Sequence, residues 1–232
     1  MDKRFWGIVV VVVLVMVGIF ALTNHSSSTS SSNAKPTSHI EGQGKDGVTL
    51  VEYGDYECPY CGQYYPIVKQ VVALYSPYIY FQFRNLPLTQ IHPNAFAGAR
   101  AAEAAAMQNK FWQMHDLLYQ NQSEWVSASD PTPIFDQFAK QLGLNVATFK
   151  KDFNSSQVNN AINADVAAFN ATGAQMATPS FFLDGKQISP LETVSSFESY
   201  LNAAIKQKTG KPSPITTTSG TGGSATAPKS TQ

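Results

Sequence analysis

The 232-residue chain holds only two cysteines, Cys58 and Cys61. Two cysteines exclude a scaffold stapled by several disulfides and a four-cysteine zinc site. Charge is also scarce. Asp, Glu, Lys and Arg make up 14% of the residues, with 16 basic against 16 acidic and a formal net charge of zero. A bulk nucleic-acid binder needs clustered Lys and Arg to displace counterions, so that class is excluded. Between Lys45 and Lys208 there are 11 basic and 14 acidic residues, a net of −3, which excludes electrostatic steering to polyanions. No internal repeat is present.

What the sequence does have begins with an apolar run. Asp2, Lys3 and Arg4 precede eighteen uncharged residues, Phe5 to Leu22. That length is near the lower limit of the ~17–25 residues that span a bilayer as a helix. A secretory signal core is shorter, ~7–15 residues, and ends at a small-x-small site. The run ends in Ile19-Phe20-Ala21-Leu22-Thr23, without such a site, and no cysteine follows for lipid attachment. An uncleaved membrane anchor is the preferred reading, with a cleaved signal as the alternative. Lys3 and Arg4 put the N-terminus in the cytoplasm and everything after residue 23 outside it. The expected location is the cell membrane, single-pass, with an extracytoplasmic (periplasmic or extracellular) folded part. Thr23 to Ser38 carries ten Ser or Thr in sixteen positions, so residues 23–44 read as a flexible tether. Residues 209–232, rich in Ser, Thr, Gly and Pro, read as a disordered tail. Asn-x-Ser/Thr sequons at Asn24, Asn121, Asn154 and Asn170 read as chance matches.

The remainder reads as an α/β fold. Val48 to Tyr53 is a β-rich run with apolar residues on both faces, as in a central strand. Val68, Val71, Val72 and Tyr75 recur at helical spacing after Cys58, with Pro66 expected to kink that helix. Ile79 to Arg84 alternates as a second strand. Residues 94–172 look entirely helical, with Ala95 to Met107, Phe111 to Leu118, Ile134 to Leu142 and Val158 to Phe169 as the clearest stretches. Nearly eighty residues exceed a simple crossover, so they read as a helical insertion. Asp184-Gly185 between apolar runs predicts a hairpin. Leu191 to Gln207 predicts a closing helix.

The chemistry lies in Cys58-Pro59-Tyr60-Cys61. This C-x-x-C follows a predicted strand and opens a predicted helix. Sulfurs three residues apart on a first helical turn are close enough to bridge. At a helix N-terminus, unpaired N–H groups and the macrodipole favour a thiolate, the form that attacks or leaves. Pro59 loses no useful donor there and stiffens the turn. Cys61, one turn deeper, suits the resolving role. Stabilising the Cys58 thiolate stabilises the reduced protein. One pKa unit is worth ~1.4 kcal/mol, or ~30 mV for a two-electron couple. Tyr60 brings no positive charge, so the Cys58 pKa is expected to be depressed, but less than beside a basic residue. The competing readings explain less. A structural disulfide across so short a loop constrains little of the unfolded chain. A zinc site would need two ligands from His25, His39, His92 and His115, of which two lie in or beside the tether. Two inert buried thiols do not suit a Pro-Tyr spacer at a helix start.

The sequence resembles the DsbA-type branch of the thioredoxin-fold superfamily, in particular the membrane-anchored, BdbD-like thiol-disulfide oxidoreductases. The resemblance covers about residues 45–206. It rests on Tyr53 to Cys61, on Phe83-Arg84-Asn85-Leu86-Pro87-Leu88 with His92-Pro93-Asn94-Ala95, on Ala101 to Ala106 with Phe111-Trp112-Gln113-Met114-His115, and on Thr178-Pro179-Ser180 through Gly185. It implies a thioredoxin-like domain from residues 45–93 and 173–208, interrupted by the helical insertion 94–172. It implies that Thr178-Pro179 is the loop with a cis proline that faces Cys58 and pairs with an extended substrate. It implies that Glu52, six residues before Cys58, is a buried acid that helps move the Cys61 proton. His92 and His115 are expected to be packing or capping residues.

The expected function is extracytoplasmic thiol oxidation, introducing disulfides into reduced exported proteins through Cys58 and Cys61, as a monomer with no metal or organic cofactor. A quinone-linked membrane reoxidant of the DsbB or VKOR kind is implied by the family alone. The alternatives are a reductase or isomerase on the same fold, and a non-catalytic anchored holdase.

Overall fold

The computed structural model describes residues 34–189 and 191–215. The apolar run Phe5 to Leu22 lies outside the described residues. Among those described, no helix is long and apolar enough to cross a membrane.

The elements in chain order are β1 (His39–Glu41), β2 (Val48–Gly54), α1 (Pro59–Tyr75), β3 (Ile79–Asn85), α2 (Ala95–Ala106), α3 (Phe111–Gln120), α4 (Gln122–Trp125), α5 (Thr132–Gln141), α6 (Val146–Phe153), α7 (Ser156–Asn170), β4 (Ser180–Leu183), β5 (Lys186–Ile188) and α8 (Val194–Thr209). The strands form one five-stranded sheet in the order β1-β3-β2-β4-β5. β2 and β3 are parallel and joined by α1, while the other three pairings are antiparallel. This is the mixed α/β, thioredoxin-like arrangement expected from the sequence, with six helices inserted between β3 and β4.

The centre of the sheet is built by β-branched and aromatic residues whose alternation serves two layers. Val48 and Leu50 of β2, Phe81 of β3 and Phe181 of β4 pack with Ile67, Val68 and Val71 of α1 and with Phe197, Leu201 and Ile205 of α8. Phe83, Phe111, Met114, Leu118, Trp125 and Phe135 form a second core beneath the helical insertion. Tyr56, Cys58 and Cys61 belong to this second core. At the β4–β5 turn Asp184 and Gly185 have φ of 50° and 82°, the left-handed pair that a two-residue hairpin needs. α1 continues through Pro66 as one helix.

Two boundaries expected from the sequence differ. The stretch 39–41, assigned to the flexible tether 23–44, is strand β1 and pairs with β3. It is held by tertiary contacts. The His39 ring stacks on Phe111 with centroids 3.5 Å apart, and its Nε2 lies 2.8 Å from Glu103 Oε1. Just before it, Thr37 donates its N–H and its hydroxyl to the two oxygens of Asp165, each at 2.7 Å. At the other end, α8 runs to Thr209, Gly210 closes it in the left-handed conformation, and Ile215 packs against the core. The expected disordered tail from residue 209 therefore begins with ordered residues 209–215. The rest of it lies outside the described residues.

Asp165 is completely buried on α7 and also accepts the Asn85 N–H at 2.9 Å. It thus ties the start of the folded chain, the end of β3 and the insertion to one carboxyl group. Asp165→Ala strands these three donors in the interior. It is expected to lower the unfolding free energy by ~2–4 kcal/mol, measured by urea denaturation. A change under ~0.5 kcal/mol contradicts this account.

Candidate active site

Cys58 occupies the position just before α1, with φ −62° and ψ 121°, and Pro59 is the first helical residue. The Cys58 carbonyl accepts the first intrahelical bond, from the Gly62 N–H at 3.1 Å. The sulfur therefore sits where the free N–H groups of the first turn converge. Cys58 is 4% exposed and Cys61 is fully buried. Both are free thiols in the structure.

The two sulfurs experience opposite influences. The Cys58 thiol is lowered from 9.0 to about 6. The Cys61 side chain contributes most, against the opposing effect of burial, with the Thr178 side chain and the backbone of Cys61 and Tyr60 adding to it. The Cys61 thiol is pushed well above its ordinary value, first by burial and then by the neighbouring Cys58. At neutral pH one sulfur is a thiolate and the other holds its proton. This split is the chemical requirement for a nucleophile or leaving group with a resolving partner. The depression of Cys58 occurs with tyrosine in the spacer, so N–H donors and the second thiol suffice without a cation.

The Thr178–Pro179 bond is cis. The Cys58 thiol donates to the Thr178 carbonyl at 3.5 Å. The Thr178 hydroxyl is buried and has no hydrogen-bond partner. It is free to donate to the thiolate once that forms. Glu52 is 3% exposed and follows Val48 and Leu50 on the face of β2 that α1 covers. Burial, and then the charge of Cys58, raise its carboxyl from 4.5 to about 8. All seven residues singled out in the sequence, Glu52, Cys58, Pro59, Tyr60, Cys61, Thr178 and Pro179, thus fall in one neighbourhood, with Tyr60 on the exposed side.

Other residues hold this neighbourhood in place, and the sequence did not single them out for it. Asp55 is 1% exposed. Its carboxylate accepts the Glu57 N–H at 2.8 Å and the Leu88 N–H at 2.9 Å, and lies 2.7 Å from His92 Nδ1. Its own N–H points at the Cys61 sulfur at 3.5 Å, and its carbonyl accepts the Cys58 N–H at 3.2 Å. His92 thus anchors the loop before Cys58, a structural role of the kind expected for it. His115 is buried and pairs through Nδ1 with the Tyr56 hydroxyl at 3.1 Å. Burial is the main cause that lowers its pKa to about 3, so it is neutral at physiological pH. Gln122 of α4 donates to the carbonyls of Tyr56 and Cys58. The available signal for Asp55 and His92 was their place within two of the stretches that carry the family resemblance, Tyr53 to Cys61 and His92 to Ala95. For Gln122 there was none. Among the described residues, no cluster of three or more His, Cys, Asp or Glu is arranged to hold a metal ion. A surface cavity of 720 Å³ between the β4–β5 hairpin and α8 shares no residue with the cysteine site.

The family model described as Thioredoxin matches residues 34–203. Among curated proteins, a Na(+)/H(+) antiporter NhaA 3 of Salinispora tropica is 39% identical over 149 residues, 64% of this chain. Another, Na(+)/H(+) antiporter NhaA 1 of Mycolicibacterium gilvum, is 36% identical over 153 residues. The chain spans only 22% and 24% of the lengths of these two proteins. The likeness is to a segment of each antiporter and does not carry over the activity of the whole. Among solved structures, a thioredoxin-like oxidoreductase of Silicibacter pomeroyi is similar at TM-score 0.61 and 25% identity, covering 74% of this chain and 94% of that one. Oxidised BdbD of Bacillus subtilis gives TM-score 0.64 at 20% identity over 75% and 97%. The alpha-DsbA1 of Wolbachia pipientis gives 0.64 at 18% over 75% and 94%.

Two measurements check the site. In the reduced protein, thiolate absorbance is expected to titrate Cys58 near pH 6 and to show Cys61 still protonated at pH 9; a Cys58 midpoint near 8.5 contradicts the geometry. Glu52 keeps in the folded state a proton that the unfolded chain gives up above 4.5. It therefore costs no stability below pH 4.5, an increasing amount as pH rises to about 8, and no more beyond. Glu52→Gln is expected to leave stability unchanged at pH 4 and to raise it by on the order of 1–3 kcal/mol at pH 8. Equal effects at both pH values contradict the burial of an ionisable carboxyl.

Proposed function

The chain belongs to the thioredoxin family, and from that premise we propose that it is a thiol-disulfide oxidoreductase of the DsbA type that acts outside the cytoplasm as an oxidase. The observation that carries this reading is the asymmetric pair at the start of α1. Cys58, at the open start of α1, is held as a thiolate by the Cys61 and Thr178 side chains and the N–H groups of the first turn, and the buried Cys61 is held as a thiol. A couple whose reduced form is stabilised in this way is oxidising, because reduction is favoured by the stabilised anion.

The cycle begins from the Cys58–Cys61 disulfide. A thiolate of a reduced polypeptide attacks the Cys58 sulfur, the S–S bond breaks, and Cys61 leaves. Cys61 cannot remain an anion in its buried place, so it takes up a proton. Glu52, protonated below about pH 8, is the neighbouring acid suited to supply it. A second thiolate of the substrate then attacks the substrate sulfur of the mixed disulfide. Cys58 leaves as the thiolate that its surroundings favour. Two substrate thiols have become one disulfide, and two electrons reside on Cys58 and Cys61. A membrane reoxidant of the quinone-linked class would accept those electrons. The substrates are reduced exported polypeptides, and the exposed Tyr60 ring beside the sulfur offers them an apolar contact. The Phe5 to Leu22 run would anchor the chain with its folded part outside the cytoplasm.

Cys61→Ala is expected to accumulate mixed disulfides with other proteins on non-reducing gels, because its Cys58 thiolate still attacks their disulfides and displaces one thiolate while no Cys61 remains to release the product. Cys58→Ala is expected to trap none. Equal trapping by the two contradicts the assigned order. The equilibrium potential decides the direction. A value close to −120 mV supports an oxidase, and one close to −270 mV a reductase. A protein that still protects unfolded chains with both cysteines changed to Ser, and that never forms the mixed disulfide, is a holdase instead.

A further inference from the structure

We propose that Gln122, contributed by the helical insertion, is a positioning residue that fixes the peptide units around Cys58 and so sets how oxidising the Cys58–Cys61 couple is. The inference rests on the reading that this couple is redox-active, and adds to it the residue that tunes it.

Gln122 opens α4, a helix of only four residues. Its Nε2 donates one hydrogen to the Tyr56 carbonyl at 2.8 Å and the other to the Cys58 carbonyl at 2.9 Å. These two carbonyls flank the reactive residue on its N- and C-terminal sides. The Cys58 carbonyl already accepts the Gly62 N–H that starts α1, so Gln122 gives it a second donor. A Cβ on Gly62 would come within 2.6 Å of Gln122 Oε1, so glycine there makes room for the contact.

The position of Gln122 is itself well supported. Trp125, three residues on, is completely buried and its Nε1 donates to the Leu118 carbonyl at 2.9 Å. The Trp125 ring lies against Gly98 of α2, which also abuts Tyr56. The short helix is therefore held between its neighbours in the insertion and the active-site loop.

The consequence for Cys58 follows from the directions of the peptide dipoles. The thiolate is favoured by the N–H groups of Tyr60 and Cys61 and would be disfavoured by carbonyl oxygens turned toward it. Gln122 holds the Tyr56 and Cys58 carbonyls on its own amide, which fixes the backbone before and at Cys58 and so the placement of its sulfur against the N–H groups of Tyr60 and Cys61. Loss of the amide lets the turn rock and weakens these contacts in the anion. The disulfide form has no anion to lose. The effect therefore falls on the reduced state alone and shows as a change of potential. A purely structural residue would destabilise both redox states together.

The test uses the purified folded protein with Gln122→Met, which keeps length and packing without a donor, and Gln122→Glu, which keeps shape but offers at most one donor and adds negative charge. Cys58 is titrated by thiolate absorbance, and the couple is equilibrated with glutathione. Wild type is expected to titrate at low pH. Gln122→Met is expected to titrate roughly one unit higher, with the equilibrium constant shifted about tenfold toward the protein disulfide, about 30 mV. Gln122→Glu is expected to shift further in the same direction. Loss of thermal stability in both redox states with unchanged titration and equilibrium overturns the positioning role and leaves the oxidoreductase reading intact. A wild-type Cys58 that titrates at ~8.5 and does not exchange with glutathione overturns both.

Discussion

The constraint on which the rest depends is that a sulfur must carry negative charge while almost wholly removed from water. A buried anion is costly unless fixed dipoles replace its hydration. The Cys58 position supplies them through the open end of a helix, the hydroxyl of Thr178 and the second thiol. None of these donors is a cation. The site achieves its charge separation with neutral groups whose value lies in their orientation, so geometry decides the chemistry.

That geometry is assembled from segments far apart in sequence. β2 and α1 give the two cysteines, the end of the insertion leads into Thr178 and Pro179, and α4 contributes Gln122. Asp55 is the common anchor. Its carboxylate gathers the Glu57 N–H, the Leu88 N–H and His92, and its backbone reaches both Cys58 and Cys61. A loop fixed through so many independent bonds has few ways to move, and orientation at the sulfur is retained. The helical insertion therefore does more than cover the sheet, since it contributes part of the framework that aims the first turn of α1.

The parts legible in the sequence are those whose signal is local. The C-x-x-C after a β-rich run, the alternation of Ile79 to Arg84, the Asp184-Gly185 turn and the apolar faces of the long helices each state their structure within a few residues. β1 is different. Three residues next to a Ser/Thr-rich stretch carry no pattern, and their order comes from His39 on Phe111 and Glu103 and from Thr37 on Asp165. α4 is too short for a helical period to show, and α6 buries only Phe149 and Phe153 of its apolar side chains. The burial of Glu52 needed the family resemblance, because a strand Glu with a helix above it and one facing water are identical in sequence. Its chemical neighbours became visible only with the sheet and α1 in place.

Two buried carboxyl groups near Cys61 show how the fold separates structure from chemistry. Asp55 is enclosed by N–H donors and the His92 ring, so its oxygens are occupied in holding the loop. Glu52 lies three residues earlier on β2, where burial and the nearby sulfur dominate and leave it protonated at neutral pH. Reduction of the couple produces one stable anion, at Cys58, and one sulfur that must be protonated, at Cys61. The reaction therefore requires one proton, delivered to a place water does not reach freely. The carboxyl bound into hydrogen bonds is unsuited to that task, and the one whose surroundings keep it neutral can perform it. The same burial that makes Glu52 a liability for stability above pH 4.5 keeps it protonated at the pH where the Cys58 thiolate forms.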